Sequence, residues 1–268
     1  MDRLAIEFIS VFGMPPVEFI ELAARLGVPN IGIAARPIVT LDGLYPAWDM
    51  AKDPALIADV ASALAANGVT IAQAEGFLVM PGLSIDSMAG DLDIVAKLGA
   101  KQINACCLAP DMAANVEGFG RLAELAGERG MAATVEFLPG MIIGSLASAL
   151  ELVRLTGRAN AGVLVDSMHL FRSGSDAAEL AAADPARILY AQLCDVPVVS
   201  KFAEYADEAR YERLAPGDGE LPLASFVKAL PANVTIGLEV PLRAAAEKGL
   251  APEAWLAPAI EKAQALLA

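Results

Sequence analysis

Positive charge is scarce in this chain: 19 Lys and Arg stand against 33 Asp and Glu, for a formal net charge of −14. A phosphate backbone calls for a basic face, so a nucleic-acid partner is excluded. Histidine occurs once, and cysteine three times, as Cys106, Cys107 and Cys194. That odd set has neither zinc-ligand spacing nor a disulfide framework. The cysteines read as small buried residues in a reducing compartment, and none is a nucleophile candidate. No run of about 18 apolar residues occurs, so no membrane span is expected. The amino terminus, MDRLAIEFIS, has acids at Asp2 and Glu7 and lacks a basic-then-apolar signal region. The expectation is a soluble, cytoplasmic protein. No GxGxxG follows the first strand candidate, which removes the usual dinucleotide fingerprint.

What is present is apolar and periodic. Hydrophobic residues make up 56% of 268 positions, enough for a large core. Helical patterns repeatedly stop at a glycine and give way to a β-rich run: Gly27 before NIGIAA, Gly68 before VTIAQA, Gly99 before KQINACC, Gly130 before MAATVEF and Gly157 before AGVLVD. Such punctuation repeats at about the length of one βα unit. The helices are amphipathic, with Phe19, Leu22, Ala23 and Leu26 on one face of the first and Met88, Leu92, Val95 and Leu98 on one face of the third. Adding LAIEFIS, RILYAQL and VTIGLEV gives eight strand candidates, and PEAWLAPAIEKAQALLA gives a terminal helix. Residues 1–268 are expected to form one α/β domain, a (β/α)8 barrel in preference to an open doubly wound sheet. The longest connection, 196–222, reads as an active-site loop.

Ligands bind at the carboxyl ends of barrel strands, and oxygen-bearing side chains collect there. Glu136 in TVEF, Asp166 in VLVDSMH, Gln192 in YAQLCD and Glu239 in GLEVP each follow an apolar run. They belong to strands five to eight, which are neighbours in a closed barrel. Three carboxylates and an amide suit a hard divalent cation, Mn2+ or Mg2+, better than zinc. Taken alone, each acid is more ordinarily a solvated strand-end residue; four at matching positions favour a site. An acid between Val135 and Phe137, or between Leu238 and Val240, is costly to keep charged without a cation.

His169 follows Asp166 by three residues and is a candidate proton shuttle or substrate contact rather than a satisfied core histidine. Arg213, three residues before the turn PGDG, is a substrate anchor candidate. Arg172 is either a partner for an acid or a substrate anchor. Glu75 in QAEGF and Glu7 in the first strand either touch substrate or fill the barrel interior. Trp48 and Phe77 are packing residues or apolar walls, and Asp218 and Glu220 read as turn and solvent residues.

With those residues in view, the chain resembles the xylose isomerase-like barrel superfamily, which includes sugar epimerases, inosose dehydratase-type enzymes and bacterial 3-dehydroshikimate dehydratases. VEF with Glu136, VDSMH with Asp166 and His169, AQLCD with Gln192, RLAPGDG with Arg213 and LEV with Glu239 bear the resemblance, in order. It implies metal ligation by Glu136, Asp166, residue 192 and Glu239, proton transfer by the two glutamates, and substrate contact by His169 and Arg213. Gln192 stands where the epimerases have His and is similar to the dehydratase branch. The DNA-repair endonucleases of this fold use several zinc-binding histidines, which a chain with one histidine does not offer. The shared task is proton removal beside a carbonyl. Reprotonation gives isomerisation or epimerisation of a small polyhydroxylated substrate; loss of a β-hydroxyl gives a lyase. A catalytically silent ligand-binding barrel is the third reading. An apolar barrel surface also makes a homo-oligomer an expectation.

Overall fold

The computed structural model describes residues 3–268, so Asp2 lies outside it. Eight parallel strands close on themselves in sequence order: β1 (Leu4–Ile6), β2 (Asn30–Ile33), β3 (Thr70–Val79), β4 (Gln102–Cys107), β5 (Ala132–Glu136), β6 (Ala161–Asp166), β7 (Ile188–Leu193) and β8 (Thr235–Leu238). Pairing of β1 with β8, Leu4 opposite Ile236 through Ile6 opposite Leu238, closes the ring. The eight sequence candidates are the eight strands, and the architecture is a (β/α)8 TIM barrel.

The surrounding helices are α1 (Pro16–Arg25), α2 (Pro54–Asn67), α3 (Ala89–Lys97), α4 (Met112–Gly127), α5 (Leu146–Thr156), α6 (Ser167–Arg172), α7 (Ala177–Ala182), α8 (Tyr205–Tyr211), α9 (Leu223–Ala229), α10 (Arg243–Ala246) and α11 (Glu253–Leu267). Several of them start at a short polar side chain that caps the first turn. Asp53, Asp111 and Asp176 accept from first-turn amides, and Ser145 forms a reciprocal box with Ser148. Phe19, Leu22 and Ala23 of α1 are buried against the barrel, as are Leu92 and Val95 of α3. Among the described residues, no helix is long and apolar enough to cross a membrane.

The 196–222 connection is a tied structure rather than a free loop. Leu214 forms an antiparallel bridge with Asp195. The Asp195 carboxylate accepts from Val196, Gly217 and Leu221, which pins the PGDG turn. A side chain at Gly219 would overlap that carboxylate, so glycine is needed there. Asp218 is ion-paired with Lys262, and Glu220 accepts from the Val198 amide. The loop thereby carries α8 over the carboxyl end of the barrel.

Two glycines shape the interior. A Cβ at Gly237 of β8 would overlap Glu7 Oε1, and one at Gly32 of β2 would overlap Glu7 Oε2 and Glu75 Oε1. Both strands lack side chains where the carboxyl groups of Glu7 and Glu75 enter the barrel.

Candidate active site at the carboxyl end of the barrel

Strand register brings the polar set together. Asp166 pairs with Gln192, Gln192 with Gly237, and Glu239 follows β8 directly. Glu136 ends β5, opposite Cys106 of β4. Glu75, Glu136, His169, Gln192, Arg213 and Glu239 line one cavity of about 560 Å3.

Asp166 is fully buried and has two local tasks. Its Oδ1 accepts the His169 amide at 2.8 Å and caps α6, which explains the three-residue spacing of Asp and His. Its Oδ2 accepts from Arg213 Nη1 at 2.6 Å. Burial works to raise its pKa, but the Arg213 charge, His169 and the backbone donor outweigh burial and hold it below the ordinary aspartate value.

Arg213 is buried on the cavity wall, and its Nε and Nη1 are engaged within the protein. Nε donates to Ala209 O at 2.7 Å, and Nη1 donates to Asp166 and to Cys194 Sγ. Glu239 Oε2 also lies 2.6 Å from Nη1, but the ion pair supplies no hydrogen bond. The two Nη1 hydrogens point at Asp166 and Cys194, so the contact with Glu239 is one of charge alone. Glu239 Oε1 accepts from Gln192 Nε2 at 3.1 Å, while Gln192 Oε1 is buried without a partner. Burial raises the Glu239 pKa well above the usual carboxyl range despite Arg213, with Asp166 and Glu136 adding to the rise.

Glu136 accepts from Asn104 Nδ2 at 2.7 Å, and its Oε1 lies 3.1 Å from His169 Nε2. The other ring nitrogen, Nδ1, is hydrogen-bonded to the Tyr205 hydroxyl of α8. His169 is thus fixed at both ends. Sequence reasoning missed Asn104 and Tyr205. Asn104 had a weak signal, a polar residue inside the apolar strand QINACC, whereas Tyr205 begins α8, a short helix within a long connection that has no periodicity to mark it.

Glu7 and Glu75 form a second acidic cluster. Glu7 Oε1 accepts from Tyr190 at 2.7 Å, Glu7 Oε2 is buried with no donor, and Glu75 Oε1 accepts the Phe8 amide. A register break in β3 between Ala74 and Phe77, with Gly76 at φ 92°, aims Glu75 into the barrel. Burial first, and the Glu7 carboxyl second, raise Glu75 well above the ordinary value; burial raises Glu7.

Other candidates lie elsewhere. Arg172 is absent from the cavity wall; it donates to Val198 O and Pro197 O and pairs at 3.0 Å with buried Glu208, tying the β7 loop to α8. Trp48 packs edge-on against Phe8 and donates to Gly13 O, whereas Phe77 does line the cavity. Cys107 and Cys194 are buried, but Cys106 is half-buried on the cavity wall, its thiol pushed well up by burial and then by Glu136. That keeps it protonated and a weak nucleophile.

Glu136, Asp166, Gln192 and Glu239 are hard oxygen donors, and the unpartnered Gln192 Oε1 and donor-less Glu239 Oε2 fit a divalent cation. Among the described residues, no group of three or more His, Cys, Asp and Glu side chains stands ready to hold an ion. Arg213 Nη1 is within 2.6 Å of both Asp166 and Glu239. The donor chemistry fits; ligation would need the amide and a shift of Arg213.

Comparison with known proteins agrees with this architecture. A 3-dehydroshikimate dehydratase of Pseudomonas aeruginosa is 28% identical over 158 residues, covering 57% of this chain and 25% of that protein. The chain therefore spans about a quarter of the length of that curated relative. The IolI protein with a bound zinc atom superposes with a TM-score of 0.77 at 18% identity, over 99% of this chain and 98% of that one. D-psicose 3-epimerase crystallised with D-fructose gives 0.74 at 17%, over 99% of each chain. At such identities the two structures speak for the fold alone. Residues 20–262 match the family model of the xylose isomerase-like TIM barrel, and the chain belongs to that family.

Proposed function

We propose that this protein is a divalent-metal-dependent enzyme that removes a proton beside the carbonyl of a small polyhydroxylated substrate, as an isomerase or epimerase. The observation that carries the reading is Glu239 Oε2, a buried carboxylate oxygen beside Arg213 with no hydrogen-bond donor. An acceptor in that condition has no donor of its own and can take a proton.

Glu136, Asp166, Gln192 and Glu239 would hold Mn2+ or Mg2+, and the bound ion would polarise the carbonyl and balance charge developing on its oxygen. Glu239 takes the proton from carbon. The C–H electron pair becomes the C=C bond of an enolate as the carbonyl π pair moves to oxygen. His169, held between Glu136 and Tyr205, returns a proton.

A second reading, a lyase of the 3-dehydroshikimate dehydratase kind, is favoured by Gln192 and by the Pseudomonas relative. There the enolate pair expels a β-hydroxyl, which leaves as water after taking the returned proton. Arg213 lines the cavity with its Nε and Nη1 serving Ala209, Asp166 and Cys194, and Arg210, which lines the cavity from α8, is a second candidate carboxylate anchor.

The test is divalent-metal content after Mn2+ loading and gel filtration, in wild type and Glu239→Gln. One equivalent in the wild type, reduced in the variant, supports the reading. Keto sugars and 3-dehydroshikimate are then screened for deuterium uptake from solvent, and only the lyase yields a dehydrated product. Absence of metal from both proteins overturns it and leaves a ligand-binding barrel.

A further inference from the structure

The cavity is larger and more divided than its polar floor requires. At the ~30 Å3 that a water occupies in the liquid, its roughly 560 Å3 correspond to about nineteen water-sized groups, whereas a six-carbon sugar has about a dozen heavy atoms, each smaller than a water. The polar side chains sit together at the strand ends. Above Glu75 and Glu136 the wall turns apolar, built by Ile38 after β2, Phe77 and Leu78 of β3, Leu108 after β4, and Leu138 and Met141 after β5.

The apolar wall is continuous with the floor. Ile38 lies over Gly76, the residue after Glu75, close enough that a Cβ there would be 3.4 Å from its Cγ1. Gly76 thus presents Glu75 to the floor while leaving room for Ile38 above. Ile38 and Met141 are 44% and 50% exposed. Large apolar side chains held open to water around a concave site mark a binding surface.

We propose that the substrate is amphiphilic: a polyhydroxylated carbonyl head on the polar floor, bearing an aryl or branched-alkyl group that packs against Ile38, Phe77, Leu138 and Met141. The head rests on the reading given under Proposed function; the apolar group does not. An apolar appendage fills the volume that a free sugar leaves to water, and it covers the exposed rim. A second copy of the chain capping the mouth is the competing occupant.

The experiment uses the full-length protein without added metal and with its methionine methyls labelled with carbon-13, the Met141 resonance being assigned by Met141→Leu. Benzyl alcohol, phenyl β-D-glucopyranoside and methyl β-D-glucopyranoside are the probes. The proposal expects benzyl alcohol and the phenyl glucoside to shift the Met141 methyl, and the phenyl glucoside to bind roughly 10-fold or more tightly than the methyl glucoside. In Ile38→Asn the ratio should fall to about one. Equal affinities in the wild type overturn it, as does a Met141 methyl that none of the probes moves. A ligand-free dimer that Ile38→Asn dissociates also overturns it, in favour of a second copy. Since neither metal nor turnover enters the measurement, failure of the metal test above leaves this result standing, and the reverse holds.

Discussion

Arg213 Nη1 donates to Asp166 Oδ2 at 2.6 Å, and both side chains are almost wholly shielded from water. The pair joins the end of β6 to the far end of the β7 loop, 47 residues later in the chain. It fixes the ionised state of Asp166 and holds α8 over the cavity, since Arg213 Nε also grips Ala209 O. One guanidinium therefore serves charge balance and loop placement together.

Arg213→Gln should destabilise the fold by about 3–5 kcal/mol, because it leaves Asp166 and Glu239 buried without a counter-charge. Urea unfolding measures this. A loss below about 1 kcal/mol would mean that water reaches both carboxylates and that the pair is a surface-like contact.

Acid and base act in opposite directions on Glu75 and Asp166. Glu75 has a folded pKa raised above its ordinary 4.5, so its contribution is fully favourable below that value and is lost as pH rises toward the folded value. Glu75→Gln removes the penalty and gives Glu7 Oε2 an amide donor. The variant should exceed wild type by about 1–3 kcal/mol at pH 8 and match it near pH 4.5. Asp166, held low, stabilises above its ordinary 3.8 and loses that contribution as pH falls through its depressed value. Paired thermal melts across pH 4 to 8 check the Glu75 sign.

Gly237→Ala should cost about 3 kcal/mol or more, since the new methyl would occupy the space of Glu7 Oε1. Adding Glu7→Ala should recover at least about 1 kcal/mol, the signature of direct coupling. Additive losses in a double-mutant cycle would disprove the steric account.

His169→Asn should lower kcat/KM by roughly 10²- to 10⁴-fold, the range for a lost proton-transfer group. Tyr205→Phe, which leaves the imidazole but frees Nδ1, should lower it by about 10-fold with little change in KM, as loss of positioning predicts. Steady-state kinetics on the substrate found by deuterium uptake decide this, and an unchanged kcat in Tyr205→Phe would remove Tyr205 from the site.

The barrel was legible in the chain because its signals are local. Gly27, Gly68, Gly99, Gly130 and Gly157 all adopt the left-handed conformation that ends a helix, and the apolar runs after them are strands. The candidate ligands were legible for the same reason: Glu136, Asp166, Gln192 and Glu239 interrupt apolar runs at equivalent points. Periodicity and punctuation thus determined the fold class and the residues at the strand ends. What each polar atom meets is a long-range matter that no local pattern encodes. Only the closed barrel decided that Arg213 pairs with Asp166 at the cavity wall, that Arg172 ties a loop through Glu208, and that Tyr205 reaches His169 across 36 residues. Those contacts follow from where eight strands and one long connection meet in space, and burial there, rather than sequence neighbours, sets which carboxyl groups have their pKa raised.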